Sequence, residues 1–141
     1  MATVSEHNKR LVRRALQEIY AEGDLKLADE LIHTEYIDNE PAHPERATGP
    51  EGVRQTVRSL HETFGELRFE IEDEIAEGDK VVQRVTMSGR HIGPLMGREP
   101  TGARFAVRHV YLWRIADGQI AEHWGSRDDL GLLAQLGILR F

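Results

Sequence analysis

Cysteine is absent from this 141-residue sequence, which excludes disulfides, thiolate zinc sites and cysteine nucleophiles. No apolar run approaches the roughly 20 residues that a membrane-spanning helix needs. The opening stretch MATVSEHNKRLVRR also lacks the apolar core of a signal peptide, so a soluble cytoplasmic protein is the expectation. Basic charge is in deficit: 18 Lys and Arg against 24 Asp and Glu leave a formal net charge of -6. That balance argues against nonspecific binding to nucleic acid or to an anionic membrane. Short-spaced histidine pairs are missing too. The seven histidines stand at 7, 33, 43, 61, 91, 109 and 123, with no HxH or HExxH, so no metal site is expected. Repeats and low-complexity tracts do not stand out. The length fits one domain, residues 1–141, able to bury a core without covalent staples.

What is present centres on Arg104 to Asp129, RFAVRHVYLWRIADGQIAEHWGSRDD. Two long strands are predicted, joined at Asp117-Gly118, a dipeptide suited to a two-residue turn. Side chains alternate along a strand, so Phe105, Val107, His109, Tyr111, Trp113 and Ile115 share one face. Pairing outward from the turn sets Ile115 opposite Ile120, Trp113 opposite Glu122, Tyr111 opposite Trp124, His109 opposite Ser126 and Val107 opposite Asp128. Apolar residues then meet across the strands, and a one-residue slip turns Ile120 and Trp124 to the other face. The predicted surface is apolar and aromatic, with His109, Ser126 and Asp128 on it, which suits the wall of a pocket for an apolar molecule.

Upstream, the stripe Val4, Leu11, Val12, Ala15, Leu16, Ile19, Tyr20 predicts a helix to about Ala21, ended by Gly23. Asp24 suits the N-cap of a short second helix carrying Leu27, Ala28, Leu31 and Ile32. Tyr36 to Asn39 reads as a short extended piece before Glu40-Pro41. Tyr36, Asp38 and Glu40 lie on one of its faces and Ile37 and Asn39 on the other; an inward Ile37 would bring Asn39 to the pocket. Pro50 opens a third helix, with Val53, Val57, Leu60 and Phe64 buried and Gly65 at its end. From Leu67 the period becomes two, giving a strand to about Ala76 and another over Val81–His91. The loop IGPLMGREPTGA, Ile92 to Ala103, is long enough to be functional. DLGLLAQLGIL makes a helical tail capped by Asp128 or Asp129. Helices first and an antiparallel meander afterwards predict an α+β fold, its curved, mostly antiparallel sheet covered on the concave face by three N-terminal helices. The expected walls of the resulting cone are Leu16, Tyr20, Tyr36, Asn39, Phe64, Met87, His91, Tyr111, Trp113 and Trp124.

The segments AEGDLKLADELI, GPEGVRQ, EGDKVVQRVTMSGRHIGPLMGREPTG and WRIADGQIAEHWGSRDDLGLLAQLG together resemble the SnoaL-like polyketide (ester) cyclases, part of the NTF2-like group of cone-shaped folds. The likeness runs from about Asn8 to Gly137. It implies a metal-free and cofactor-free aldol ring closure of a polyketide ester. By the same likeness Asp128 matches the acid that removes a proton alpha to carbonyls, and His109 matches its assisting histidine. The predicted register sets the two diagonally on one face, roughly 7 Å apart at the backbone. Burial of such an aspartate in an aromatic cavity raises its pKa toward the range of a general base. Tyr111, Trp113, Trp124 and His91 are available as donors to an enolate. The resemblance further implies an apolar small-molecule substrate and a homodimer or homotetramer formed through the outer sheet face.

Structural readings stand beside these. Asp128 can simply cap the last helix, and is free for chemistry if Asp129 caps instead; His109 can be a satisfied core histidine; the aromatics pack first and touch ligand second. Glu40 before Pro41 resembles the catalytic carboxylate of steroid-isomerase-like relatives and is a minor alternative base. Epoxide opening through the same Asp128, and a non-catalytic small-molecule-binding protein, remain competing functions, because this fold hosts many activities.

Overall fold

The structure, a computed structural model, describes residues 2–42 and 44–140; His43, one of the seven histidines, lies outside the described residues. Helix α1 (Val4–Arg14) starts at Thr3, whose hydroxyl accepts the Glu6 N–H at 3.1 Å. It continues into a π-helical stretch, Ala15–Ala21, marked by bonds such as Glu22 N–H to Gln17 O. The wider winding brings Ala15, Leu16, Ile19 and Tyr20 all to the buried side, and such insertions gather at functional sites. A short 3-10 turn (Leu25–Leu27) and α2 (Ala28–Leu31) follow. Then come β1 (Ile32–Asp38), α3 (Gly49–Thr63), β2 (Phe64–Glu77), β3 (Lys80–His91), β4 (Arg104–Ala116), β5 (Gln119–Arg127) and α4 (Asp129–Gln135).

Two boundaries differ from the sequence reading. The early extended piece is a full strand starting at Ile32, because β1 finds a long-range partner in β5 that helical periodicity cannot reveal. Helix α3 stops at Thr63 and Phe64 already begins β2, so Gly65 is a strand residue and not a helix cap.

The strands form one sheet in the order β1-β5-β4-β3-β2, antiparallel throughout except for the parallel β1–β5 pair. The helices pack on its concave face, where Val12, Leu16, Ile19, Val53 and Val57 meet Val81, Val85, Val107, Trp113 and Ile120 in one buried cluster. The α+β architecture expected from the chain order is therefore observed.

The β4–β5 hairpin closes on Asp117 and Gly118, with φ of 55° and 72°, and pairs Ala116 with Gln119 and Ile115 with Ile120. Both central residues at positive φ match the turn whose twist suits a hairpin. Beyond that first rung the predicted register is wrong. Arg114 pairs with Glu122, so Ala121 is an extra residue on β5, a β-bulge. Ile120 and Ala121 are both buried in consequence. Every later rung shifts: Trp113 faces His123, Leu112 faces Trp124, Tyr111 faces Gly125 and His109 faces Arg127. The reason is electrostatic. A regular ladder would set the Glu122 carboxylate among buried aromatics at large cost, whereas the bulge turns it outward to Arg114, Nε to Oε1 at 2.8 Å.

Candidate functional site

Between the helices and the sheet lies a cavity of about 240 Å³. Leu16 and Tyr20 of the π-helical stretch, Ser59 and Leu60 of α3, and Phe69, Met87, Tyr111 and Trp113 of the sheet make most of its wall. Ala42, Arg46, Arg127, Asp129 and Leu132 also line it; of these Ala42 and the Asp129 side chain are the most exposed, which marks the rim.

Three strands build the polar part of the floor as one row. β4–β5 pairing sets His123 beside Trp113, and β1–β5 pairing sets Asp38 on the other side of His123. The imidazole packs on the Trp113 ring at 4.3 Å between centroids and on Tyr111 at 5.3 Å. Its Nδ1 lies 3.3 Å from Asp38 Oδ1, and its Nε2 is buried with no hydrogen-bond partner among the described residues. Burial pushes the Asp38 carboxyl up, but the His123 hydrogen bond and charge, the Glu40 N–H and the Arg127 charge outweigh it and bring Asp38 below its usual value. Glu40 itself is exposed; its N–H donates to Asp38 Oδ1 at 3.0 Å.

His109 lies on β4 with Tyr111, Nδ1 to Oη at 2.7 Å, and is 5 % exposed. Burial first, and the Arg127 charge second, push its pKa down to about 4 against the opposing pull of Asp129 and Asp128. At neutral pH it is an uncharged imidazole. Burial likewise raises the Tyr111 hydroxyl, which stays protonated. Trp113 gives its indole N–H to Gln83 Oε1 at 2.9 Å, and Gln83 in turn donates to Glu74 Oε2 at 2.9 Å. That N–H is consequently committed and is no donor to an enolate.

Of the residues singled out in the sequence, Leu16, Tyr20, Phe64, Met87, His109, Tyr111 and Trp113 line the cavity. The others are placed elsewhere. Trp124 goes to the outer face with Leu112 because of the bulge. Asn39 is exposed and its amide donates to Glu122 Oε2 at 3.0 Å; Ile37 is 47 % exposed, so Tyr36 and Asp38 are the inward pair. Tyr36 is buried behind the wall, near Tyr20, rather than on it. His91 is fully buried and fixes the following loop, its Nδ1 accepting the Thr101 N–H at 3.1 Å. That loop is tied at its start, where Ile92 and Gly93 N–H both reach Thr63 O, and it adds Leu95 to the wall. Asp128 is exposed and caps α4, Oδ1 accepting the Gly131 N–H at 2.9 Å. A side chain on Gly131 would begin 2.2 Å from Asp128 Oδ2, so this cap requires glycine there. It is Asp129 that borders the cavity.

His123 and Arg127 were invisible to the regular register, and Asp38 was set aside by the expectation of an inward Ile37. The signal that could have found them is charge complementarity: Arg114 opposite Glu122 is satisfied only if one residue of β5 is skipped. Among the described residues no group of three or more His, Asp and Glu is placed to hold a metal ion.

The profile of the SnoaL-like polyketide cyclases matches residues 10–136. The chain is 37 % identical over 129 residues to the aklanonic acid methyl ester cyclase DnrD of Streptomyces peucetius, covering 90 % of this chain and 88 % of that one. It is 40 % identical over 112 residues to the nogalonic acid methyl ester cyclase of Streptomyces nogalater, covering 77 % and 82 %. The structure of TsrD from Streptomyces laurentii superposes with a TM-score of 0.86 at 37 % identity, over 98 % of this chain and all of that one. By sequence, fold and the enclosed aromatic cavity, the chain belongs to the SnoaL-like polyketide cyclase family.

Proposed function

We propose that the protein closes a carbocyclic ring in an aromatic polyketide methyl ester by an intramolecular aldol reaction that needs no cofactor. The observation that carries the reading is an uncharged His109, anchored on Tyr111 at 2.7 Å, in the wall of an aromatic cavity. Aromatic walls hold a planar polyketide and fold its flexible side chain toward the ring that must close, a large share of the barrier in such reactions. An imidazole kept neutral donates one hydrogen bond to the oxygen on which charge develops, as in other enolate-forming sites.

The acid–base partner implied by the sequence is Asp128. Its Oδ1 is engaged on Gly131, and the neighbouring Asp129 borders the cavity. Asp129 stands at the rim and Asp128 precedes it as the cap of α4, so both are candidates to be separated by Asp128→Asn and Asp129→Asn. Association through the outer face of the sheet into a dimer or tetramer, and a cytoplasmic location, complete the reading; among the described residues no helix is long and apolar enough to cross a membrane.

Incubation of the purified protein with aklanonic acid methyl ester and, separately, nogalonic acid methyl ester tests it. The expected result is a chromatographically distinct product of unchanged mass from at least one ester. No product from either sinks the cyclase reading. A second reading, binding without chemistry, draws support from the cap role of Asp128; it predicts a ligand-dependent rise in Tm with no new product.

A further inference from the structure

We propose that His123, oriented by Asp38, is the proton acceptor of the ring closure, with His109 serving the oxygen side. The assignment rests on the cyclase reading above and refines it. It follows from which nitrogen of each imidazole is already engaged.

Asp38 is a carboxylate held below its usual pKa, so it accepts a hydrogen bond and the proton sits on His123 Nδ1. The other nitrogen, Nε2, then carries a lone pair. That atom is buried and without a partner among the described residues, in a side chain only 11 % exposed that belongs to the wall of the cavity. Buried polar atoms nearly always have partners, and leaving one unpaired costs about 1–3 kcal/mol. The ring cannot turn away to find one, because Trp113 and Tyr111 pack against it. The Cε1–Nε2 edge of the ring lies close against Gly125, the next residue on the same face, where a side chain would begin 3.1 Å from His123 Cε1 and 3.6 Å from Nε2. Nε2 has almost no accessible surface in the empty cavity, and with no side chain on Gly125 over it a bound substrate reaches it by a small shift of this cavity-lining edge.

His109 is arranged the other way round. We assign the Tyr111 hydroxyl, kept protonated, as the donor to Nδ1, which puts the His109 proton on Nε2 as a hydrogen-bond donor. Burial and the Arg127 charge also make His109 a poor base. One imidazole in the wall is an acceptor and the other a donor, as proton abstraction next to a carbonyl requires. The rim carboxylates are less suited to the first task, since Asp128 holds α4 and the Asp129 side chain is 64 % exposed.

The steps balance without a co-reactant. His123 Nε2 takes the proton from the carbon between the substrate carbonyls, and the C–H electron pair becomes the enolate, hydrogen-bonded by His109. The imidazolium formed lies against the Asp38 carboxylate, which stabilises its charge. The enolate carbon attacks the ketone carbon, one C–C bond forms, and the C=O π pair becomes an alkoxide. His123 returns its proton to that oxygen. Product and substrate are isomers.

The test measures ring closure and deuterium uptake from D2O at the reacting carbon, with the two methyl esters named above, in the wild type and in His123→Gln and Asp38→Asn. Tryptophan quenching gives the Kd of each, and circular dichroism checks folding. In His123→Gln both closure and exchange should fall by about 100-fold or more, with Kd changed less than about threefold. Asp38→Asn, a positioning change, should lower kcat by about 10²–10⁴ and leave KM nearly as it was. Independently of turnover, 15N spectra of the wild type should show His123 protonated on Nδ1. A proton on Nε2, or full closure by a folded His123→Gln, overturns the assignment while the cyclase reading stands. Failure of the wild type to close either ester overturns both.

Discussion

At the floor of the cavity Asp38 and His123 meet at 3.3 Å with side chains 20 % and 11 % exposed, while at the rim Arg127 and Asp129 approach to 3.6 Å with 29 % and 64 % exposed. Both are pairs of a basic and an acidic side chain, yet their physical weight differs. At the rim, water and salt screen the charges, and such pairs contribute about 0–1 kcal/mol. At the floor, the same kind of pair selects which nitrogen of an imidazole carries its proton. The contrast teaches that in this fold the depth of a charge below the helices decides whether it sets chemistry or only tunes access.

The largest expected effect lies in the floor's scaffold. Trp113 is 1 % exposed, supports the His123 ring, and is tied through Gln83 and Glu74 to Arg13 on α1. Trp113→Ala should cost about 3–5 kcal/mol in urea unfolding. A loss below about 1 kcal/mol would show that the floor is not the rigid region this comparison makes it.

Next in size is a pH effect. The folded pKa of His109 is about 4, below the ordinary 6.5. Between those values the unfolded chain binds a proton that the folded one does not. Stability from this group is therefore fully present above pH 6.5, falls as pH drops through that window, and levels off below pH 4. The loss amounts to about 3 kcal/mol. His109→Gln should remove that part of the acid slope, read as the difference between the two stability–pH curves. Superimposable curves would contradict a buried, neutral His109.

Smaller again is the rim helix. Asp128→Ala removes the α4 cap and should cost about 1 kcal/mol, whereas Asp128→Asn, which can still accept the Gly131 N–H, should cost little. Equal losses in the two would mean that the charge and not the cap matters. Smallest is Asp129→Asn, expected within about 0.5 kcal/mol of the wild type; a larger loss would blur the line drawn between floor and rim.

Much of this was legible along the chain. Phe105, Val107, His109, Tyr111, Trp113 and Ile115 all point inward, because period-two alternation is a local property of an extended backbone. Asp117-Gly118 turns as expected, since only residues tolerant of positive φ fit there. The α+β order and the cavity walls Leu16, Tyr20, Phe64 and Met87 follow from the same local patterns together with the family likeness. The floor pair was not legible. A single extra residue at Ala121 exchanges the two faces of β5 from Glu122 onward, removing Trp124 from the cavity and admitting His123 and Arg127. Hydrophobic alternation alone favours the wrong answer there, because Trp124 is greasier than His123.

By itself, then, the sequence determined the strands and helices, the hairpin turn, and which face of β4 is buried, since each depends on neighbours within a few residues. Only the tertiary structure decided what stands beside that face. The β5 bulge is selected by an ion pair between Arg114 and Glu122, and the Asp38–His123 contact by parallel pairing of strands more than eighty residues apart in the chain. Local propensity carries no information about either, because both are settled by the cost of burying charge between elements that meet only when the chain has folded.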